Sequence, residues 1–148
     1  MPAAASLEAL PSWARDLLEA GRVGHLGLLD DAGRPRVLPV TFAVLAGRVW
    51  SAVDDKPKRV PGDRLARLRW LRARPASTLT VDRYDDDWTR LAWVQVLGET
   101  RILDLTGHDD ALDALAARYP QYRERAPRGP LLCLDPDRIV YWRATAVG

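Results

Sequence analysis

Apolar residues first recur at helical spacing and then switch to alternation. Trp13, Leu17 and Leu18 form a helical stripe, with Ser12 at the N-cap position and Gly21 at the stop, which predicts a helix over about 12–20. Period-2 segments follow over 23–29, 36–45 and 49–53, joined by the turn Asp30-Asp31-Ala32-Gly33 and a tight Ala46-Gly47 connection. A loop with two prolines, 54–62, precedes a helix over about 63–74 that turns Leu65, Leu68 and Leu71 inward and ends at Pro75. Strands are predicted again over 78–83 and 91–103, separated by the polar loop 84–89, with Gly98 marking a bulge or bend in the second. Thr106 and Asp109 have capping-box spacing and open a helix through about Tyr119. Leu131 to Trp142 reads as a last strand or strand pair, broken at Asp135-Pro136-Asp137. Six strands with three short helices predict a mainly β, α+β barrel-type sheet.

The 148 residues suit a single domain, 1–148, with no repeat or long linker. No apolar run approaches the ~20 residues of a membrane helix. The opening residues carry no basic stretch followed by an apolar core, so no secretory leader is expected. The one cysteine, Cys133, lies in an apolar run and reads as a small buried hydrophobe; a reducing cytoplasm is the default location. Net charge is only +2, which argues against a general polyanion binder, but the basic residues are unevenly chosen. Of 22, only Lys56 and Lys58 are lysine, and they flank one proline in Asp-Asp-Lys-Pro-Lys-Arg. The arginine excess, with abundant alanine, is the bias of a GC-rich genome, so the two lysines stand out more than any arginine.

Templates for nucleophilic and metal chemistry fail. There is no Gly-x-Ser-x-Gly, and no His or Cys pair has ligand spacing. His25, in a strand, reads as a hydrogen-bonded structural residue, and His108 as a surface residue at a helix start. Asp85-Asp86-Asp87 lacks the glycine and distal glutamate of a calcium loop and reads as a solvated turn. Neither a Rossmann nor a P-loop glycine pattern occurs. Between Asp54 and Arg74, however, eight basic residues face three acidic ones. Two lysines and an arginine delivered just before a helix N-terminus can hold a phosphate, the cations supplying charge and the free amides supplying donors. Trp88, at a polar loop tip, needs a flat ring system or a partner chain to cover it. Stacking of Trp70 and Trp88 on nucleic-acid bases is a weaker alternative at this net charge.

These segments, in this order, resemble the split-barrel flavin-binding proteins of the pyridoxamine 5′-phosphate oxidase-like superfamily, and most closely the actinobacterial branch that uses the deazaflavin coenzyme F420. The resemblance rests on Val23-Gly24-His25-Leu26, Gly33 to Phe42, Lys56-Pro57-Lys58, Tyr84 to Trp93 and Ile139-Val140-Tyr141-Trp142. It implies a six-stranded antiparallel split β-barrel of the FMN-binding type, assembled as a homodimer with cofactor sites between chains. Lys56, Pro57 and Lys58 would bind the cofactor phosphate, with Arg59, and Arg64 or Arg67, near an anionic tail. Pro39, Val40, Thr41 and Phe42 would meet the ring edge, Ser51 would lie on the neighbouring strand, and Trp88 and Thr89 would come from the other subunit. The implied activity is hydride transfer between reduced F420 and a small unsaturated or conjugated substrate, the protein positioning the ring and excluding water. No catalytic side chain is assigned, and neither metal, nucleic acid nor membrane is called for. Alternatives on the same fold are an FMN-dependent oxidase-like enzyme or flavin reductase, and a non-catalytic flavin, deazaflavin or haem binder.

Overall fold

The computed structural model describes residues 1–53 and 62–145, without the side chains of 62–65. Strands β2 (Gly24–Leu29) and β3 (Pro35–Val40) form an antiparallel hairpin in which Gly24 faces Val40 and Leu29 faces Pro35. The buried carboxylate of Asp30 builds its turn, accepting the backbone N–H groups of Ala32 and Arg34 at 2.9 Å and Nε of Arg34 at 3.1 Å. These donors, the Arg34 N–H foremost, hold the Asp30 carboxyl below the usual carboxylate range against the opposing effect of burial.

The remaining strands are β4 (Ala43–Leu45), β5 (Arg48–Ala52), β6 (Ala76–Arg83), β7 (Ala92–Leu103), β8 (Leu131–Arg143) and the two-residue β1 (Ala3–Ala4). They form one eight-stranded antiparallel sheet in the order β3-β2-β6-β7-β8-β5-β4, with β1 added to β8. The expected count of six is therefore corrected to eight, for two physical reasons. The segment 36–45 is broken at Thr41-Phe42 into β3 and β4, which lie at opposite ends of the strand order and are consecutive in the chain. The other addition, β1, is too short to leave a periodic signal and is recruited by the edge of β8. A two-residue corner thus joins the two ends of the sheet.

Gly98 permits the longest pairing, between β7 and β8. The register slips between Leu97, opposite Arg138, and Gly98, opposite Pro136, leaving Asp137 unpaired, and a Cβ on Gly98 would stand 1.9 Å from the carbonyl oxygen of Asp135. The proline therefore does not split the last segment into a pair; β8 runs through it.

Helix α1 (Ser12–Ala20) packs Ala14, Leu17 and Leu18 into the main core, and its N-cap is Pro11 rather than Ser12. Helix α2 (Gly62–Ala73) buries Leu68 and Leu71 against the same core. Helix α3 (Asp109–Arg118) starts after His108, two positions beyond the expected cap Thr106; Asp109 and Asp110 supply the acidic first turn. A further turn of helix, α4 (Gln121–Glu124), follows Pro120. Strand β5 is buried on both faces because it separates two cores: Val49 faces the barrel interior, while Trp50 and Ala52 face Ala111, Leu115, Tyr119 and Tyr122 of α3 and α4.

Substituting Gly98→Ala should destabilise the protein by about 2–3 kcal/mol, because backbone rather than a movable side chain fills the space. Denaturant unfolding checks it; a wild-type midpoint would mean the two strands are not pressed together there.

Candidate functional site

The corner Thr41-Phe42 is held almost entirely from within. The Phe42 ring is fully buried, and Gly24 makes room for it, since a Cβ there would lie 3.2 Å from Phe42 and 2.6 Å from Leu79. The guanidinium of Arg118 covers the other side of the ring at 4.8 Å and is pinned by donating to the carbonyls of Glu19, at 2.7 Å, and Gly21. The Phe42 N–H donates to the Tyr119 hydroxyl at 3.0 Å, and that hydroxyl donates to the Arg22 carbonyl at 3.1 Å. Ser51, on the adjacent β5, donates its hydroxyl to the Thr41 carbonyl at 2.6 Å. The hydroxyls of Thr41 and Tyr122 lie 2.6 Å apart in a hydrogen bond.

The corner therefore brings together Thr41, Phe42 and Ser51, three of the residues expected near a cofactor ring. Thr41 is half-buried and Ser51 is buried at its flank, while Pro39 is exposed on the outer face and Val40 points into the core. The hydrogen of Ser51 is committed to Thr41, so toward a ligand Ser51 can only accept. Lys56, Pro57, Lys58 and Arg59 lie outside the described residues, as does the side chain of Arg64. The corner presents one half-buried hydroxyl, that of Thr41, and beside it the buried hydroxyl of Ser51.

Tyr119 and Tyr122 are functional candidates that sequence reasoning missed. Both are buried, their rings meet edge to face at 5.7 Å, and their partners lie 77 and 81 positions earlier in the chain. The available signal was two tyrosines three apart around Pro120, which says nothing about what they reach.

The second constellation forms the tip between β6 and β7. Asp85 accepts the Asp87 N–H at 2.8 Å and pairs with Arg90 at 3.5 Å. Asp87 accepts the Thr89 N–H at 3.1 Å and the Thr89 hydroxyl at 2.7 Å, opening a single 3₁₀ turn, Trp88–Arg90. Arg83 donates to the Arg90 carbonyl at 2.7 Å across the base. The acidic run is thus turn scaffolding that presents Trp88, 70% exposed, beside Tyr84, 69% exposed. No hydrogen bond or ring contact joins Trp88 to the corner among the described residues.

The outer face of the sheet carries one polar row. His25 faces Pro39 and Thr80, and Thr80 faces Gln95, all half-buried except the exposed Pro39. The His25 side chain makes no hydrogen bond among the described residues, in contrast to the bonded structural role read from sequence. His108 lies against the Trp50 ring at 5.4 Å. Cys133 is buried, and burial pushes its thiol up, away from the thiolate a nucleophile needs. Asp135 joins Arg101, at 2.6 Å, and Arg48 across β5, β7 and β8; burial opposes its ionisation but the two arginines outweigh it and hold the carboxyl low. No described helix is long and apolar enough to cross a membrane.

No family model matches the chain, and no curated protein matches it in sequence. Solved structures do match in fold. A heme-binding protein from Mycobacterium smegmatis aligns with TM-score 0.69 at 18% identity over 94% of this chain, which spans only 57% of that protein's length. An FAD-binding protein from Mesorhizobium loti aligns with TM-score 0.62 at 22% identity, over 95% of this chain and 99% of that one. A protein of the pyridoxinephosphate oxidase family from Clostridium acetobutylicum, related to general stress protein 26, aligns with TM-score 0.63 at 18% identity, over 89% and 87%. The chain shares its split-barrel fold with these three proteins, and it has no membrane-spanning helix among its described residues.

The Asp87 cap makes the tip sensitive to acid. Its carboxyl is held below the usual value by the Thr89 hydroxyl first and the Thr89 N–H second. A depressed folded pKa means that the tip's stabilisation is complete above the ordinary carboxylate pKa of about 3.9 and is lost as pH falls through the folded value. The Thr89 amide resonance should therefore titrate with a midpoint below that of an unperturbed aspartate, and Asp87→Asn should abolish the transition. A midpoint at or above the ordinary value would show that the cap does not form in solution.

Proposed function

We propose that the protein is an F420-dependent oxidoreductase that transfers a hydride between reduced deazaflavin and a small unsaturated or conjugated organic molecule. The observation that carries the reading is the corner Thr41-Phe42 with Ser51, where a half-buried and a buried hydroxyl stand at the junction of the two sheet ends, at the positions the family resemblance assigns to the ring. The neighbours of FAD-binding and pyridoxinephosphate oxidase type support a flavin-class cofactor, and FMN is the alternative on the same fold. When bound, the cofactor supplies the hydride. The chain's part is to bind the phosphate through Lys56 and Lys58, orient the ring edge at Thr41 and Ser51, and keep water from the reacting face.

A homodimer fits this reading. The outer-face positions Val37, Gly27, Thr78 and Leu97, with the row His25, Thr80 and Gln95, present no permanent charge across four strands, and Val37 is 65% exposed. A second copy covering this face would also give the exposed Trp88 a site to complete. One observation favours a second reading, a non-catalytic haem binder: the His25 imidazole stands on that face without a hydrogen bond, and a heme-binding and a heme storage protein are among the fold's neighbours.

Titrating F420 fluorescence with the protein tests the leading reading. Wild type should bind at micromolar concentration or tighter, and Lys56→Ala and Lys58→Ala should each weaken binding by ~1–3 kcal/mol. Unchanged affinity in the double variant would remove the phosphate assignment. Trp88→Ala should loosen binding without unfolding, as expected for an exposed side chain; a large fall in melting temperature at wild-type affinity would make Trp88 a structural residue instead.

A further inference from the structure

We propose that Tyr122 is a positioning residue for the cofactor ring, acting through Thr41, with Tyr119 fixing the adjoining backbone. This rests on the flavin-type reading above and adds a residue that the family resemblance does not supply.

A threonine on a half-exposed corner can occupy several staggered rotamers, and its hydroxyl hydrogen can turn freely. Tyr122 restrains the rotamer and occupies one hydrogen-bonding position of the hydroxyl, as donor or as acceptor. Its phenol oxygen lies 2.6 Å from the Thr41 hydroxyl, and the residue, 8% exposed, is buried in the second core with Leu115, Tyr119 and Leu131, so it cannot follow Thr41 if Thr41 rotates. Tyr119 treats the next peptide in the same way: it accepts the Phe42 N–H at 3.0 Å and passes its own hydrogen to the Arg22 carbonyl at 3.1 Å. The guanidinium of Arg22, 4.8 Å above the Tyr119 ring, and that of Arg118, at 5.6 Å, clamp the aromatic pair between α3 and the chain before β2.

The consequence is specific to one atom. Ser51 occupies the Thr41 carbonyl and Tyr119 occupies the Phe42 N–H, so beside that satisfied peptide the Thr41 hydroxyl is the polar group whose placement Tyr122 decides. A ring nitrogen or carbonyl docked against this corner would meet a hydroxyl oxygen held in one place, with its rotamer fixed by the Tyr122 contact. Preorganisation of this kind spares binding the cost of freezing the contact and sets the local field on the ring.

The test is Tyr122→Phe, which keeps the buried ring and deletes only the hydroxyl. Its affinity for F420, and for FMN in a parallel titration, should fall about three- to tenfold, the effect of losing one hydrogen bond. The absorption band of the bound cofactor should shift from its wild-type position. In a Thr41→Val background the same change should have no further effect on either readout. A Tyr122→Phe protein with wild-type affinity and spectrum overturns the proposal, and so does an equal effect in the presence and absence of the Thr41 hydroxyl, which would mark a general packing role. If Tyr122→Phe does not fold, ¹³C-tyrosine spectra decide: the Tyr122 signal should move on cofactor addition in the wild type and stay still in Thr41→Val, and equal movement in both overturns it. Should wild type bind neither F420 nor FMN, the flavin-type reading itself fails, and this inference falls with it.

Discussion

The fold depends on a corner two residues long. A sheet whose end strands are neighbours in the chain must turn sharply at one point, and the backbone groups exposed by that turn have no strand to pair with. Here side chains from distant elements satisfy them: Tyr119 takes the Phe42 N–H and Ser51 serves the Thr41 carbonyl. The buried Phe42 ring anchors the turn among Gly24, Leu79 and Arg118. Leaving such groups buried and unpaired would cost ~1–3 kcal/mol each, a large share of a small domain's stability. The two tyrosines therefore belong to the architecture before they belong to any chemistry.

From that constraint the rest of the molecule can be ordered. The second core, under α3 and α4, exists to deliver the tyrosines, and β5 is buried on both sides because it divides that core from the barrel interior. The long β7–β8 ladder supplies the frame, admitting Pro136 only where Gly98 leaves space. At the β6–β7 tip the carboxylates of Asp85 and Asp87 are spent on turn N–H groups, the Thr89 hydroxyl and Arg90, so a sequence feature suggestive of cation binding becomes a support for Trp88.

How much of this was legible in the sequence follows the range of the interactions involved. Strand positions, α1, α2 and the Gly98 bulge were readable because alternation, helical stripes and glycine act within a few residues. The division of 36–45 was not, since Thr41 and Phe42 continue the β pattern and only tertiary partners some 80 positions away turn the chain there. The expected caps Ser12 and Thr106 fit local rules, yet the helices begin after Pro11 and His108, where packing sets the entry. Thr41 and Ser51 entered through family resemblance, and their mutual hydrogen bond gives that pairing a physical basis. The tyrosine pair left no trace, because spacing cannot reveal a partner in another element.

The central claim is that a flavin-type ring docks at the Thr41-Phe42 corner. Following backbone ¹H–¹⁵N chemical shifts while F420 is titrated into the protein tests it most directly. The account predicts that the largest shifts fall at Val40, Thr41, Phe42 and Ser51. Shifts confined to other surfaces, with these four amides unmoved at saturation, would contradict it.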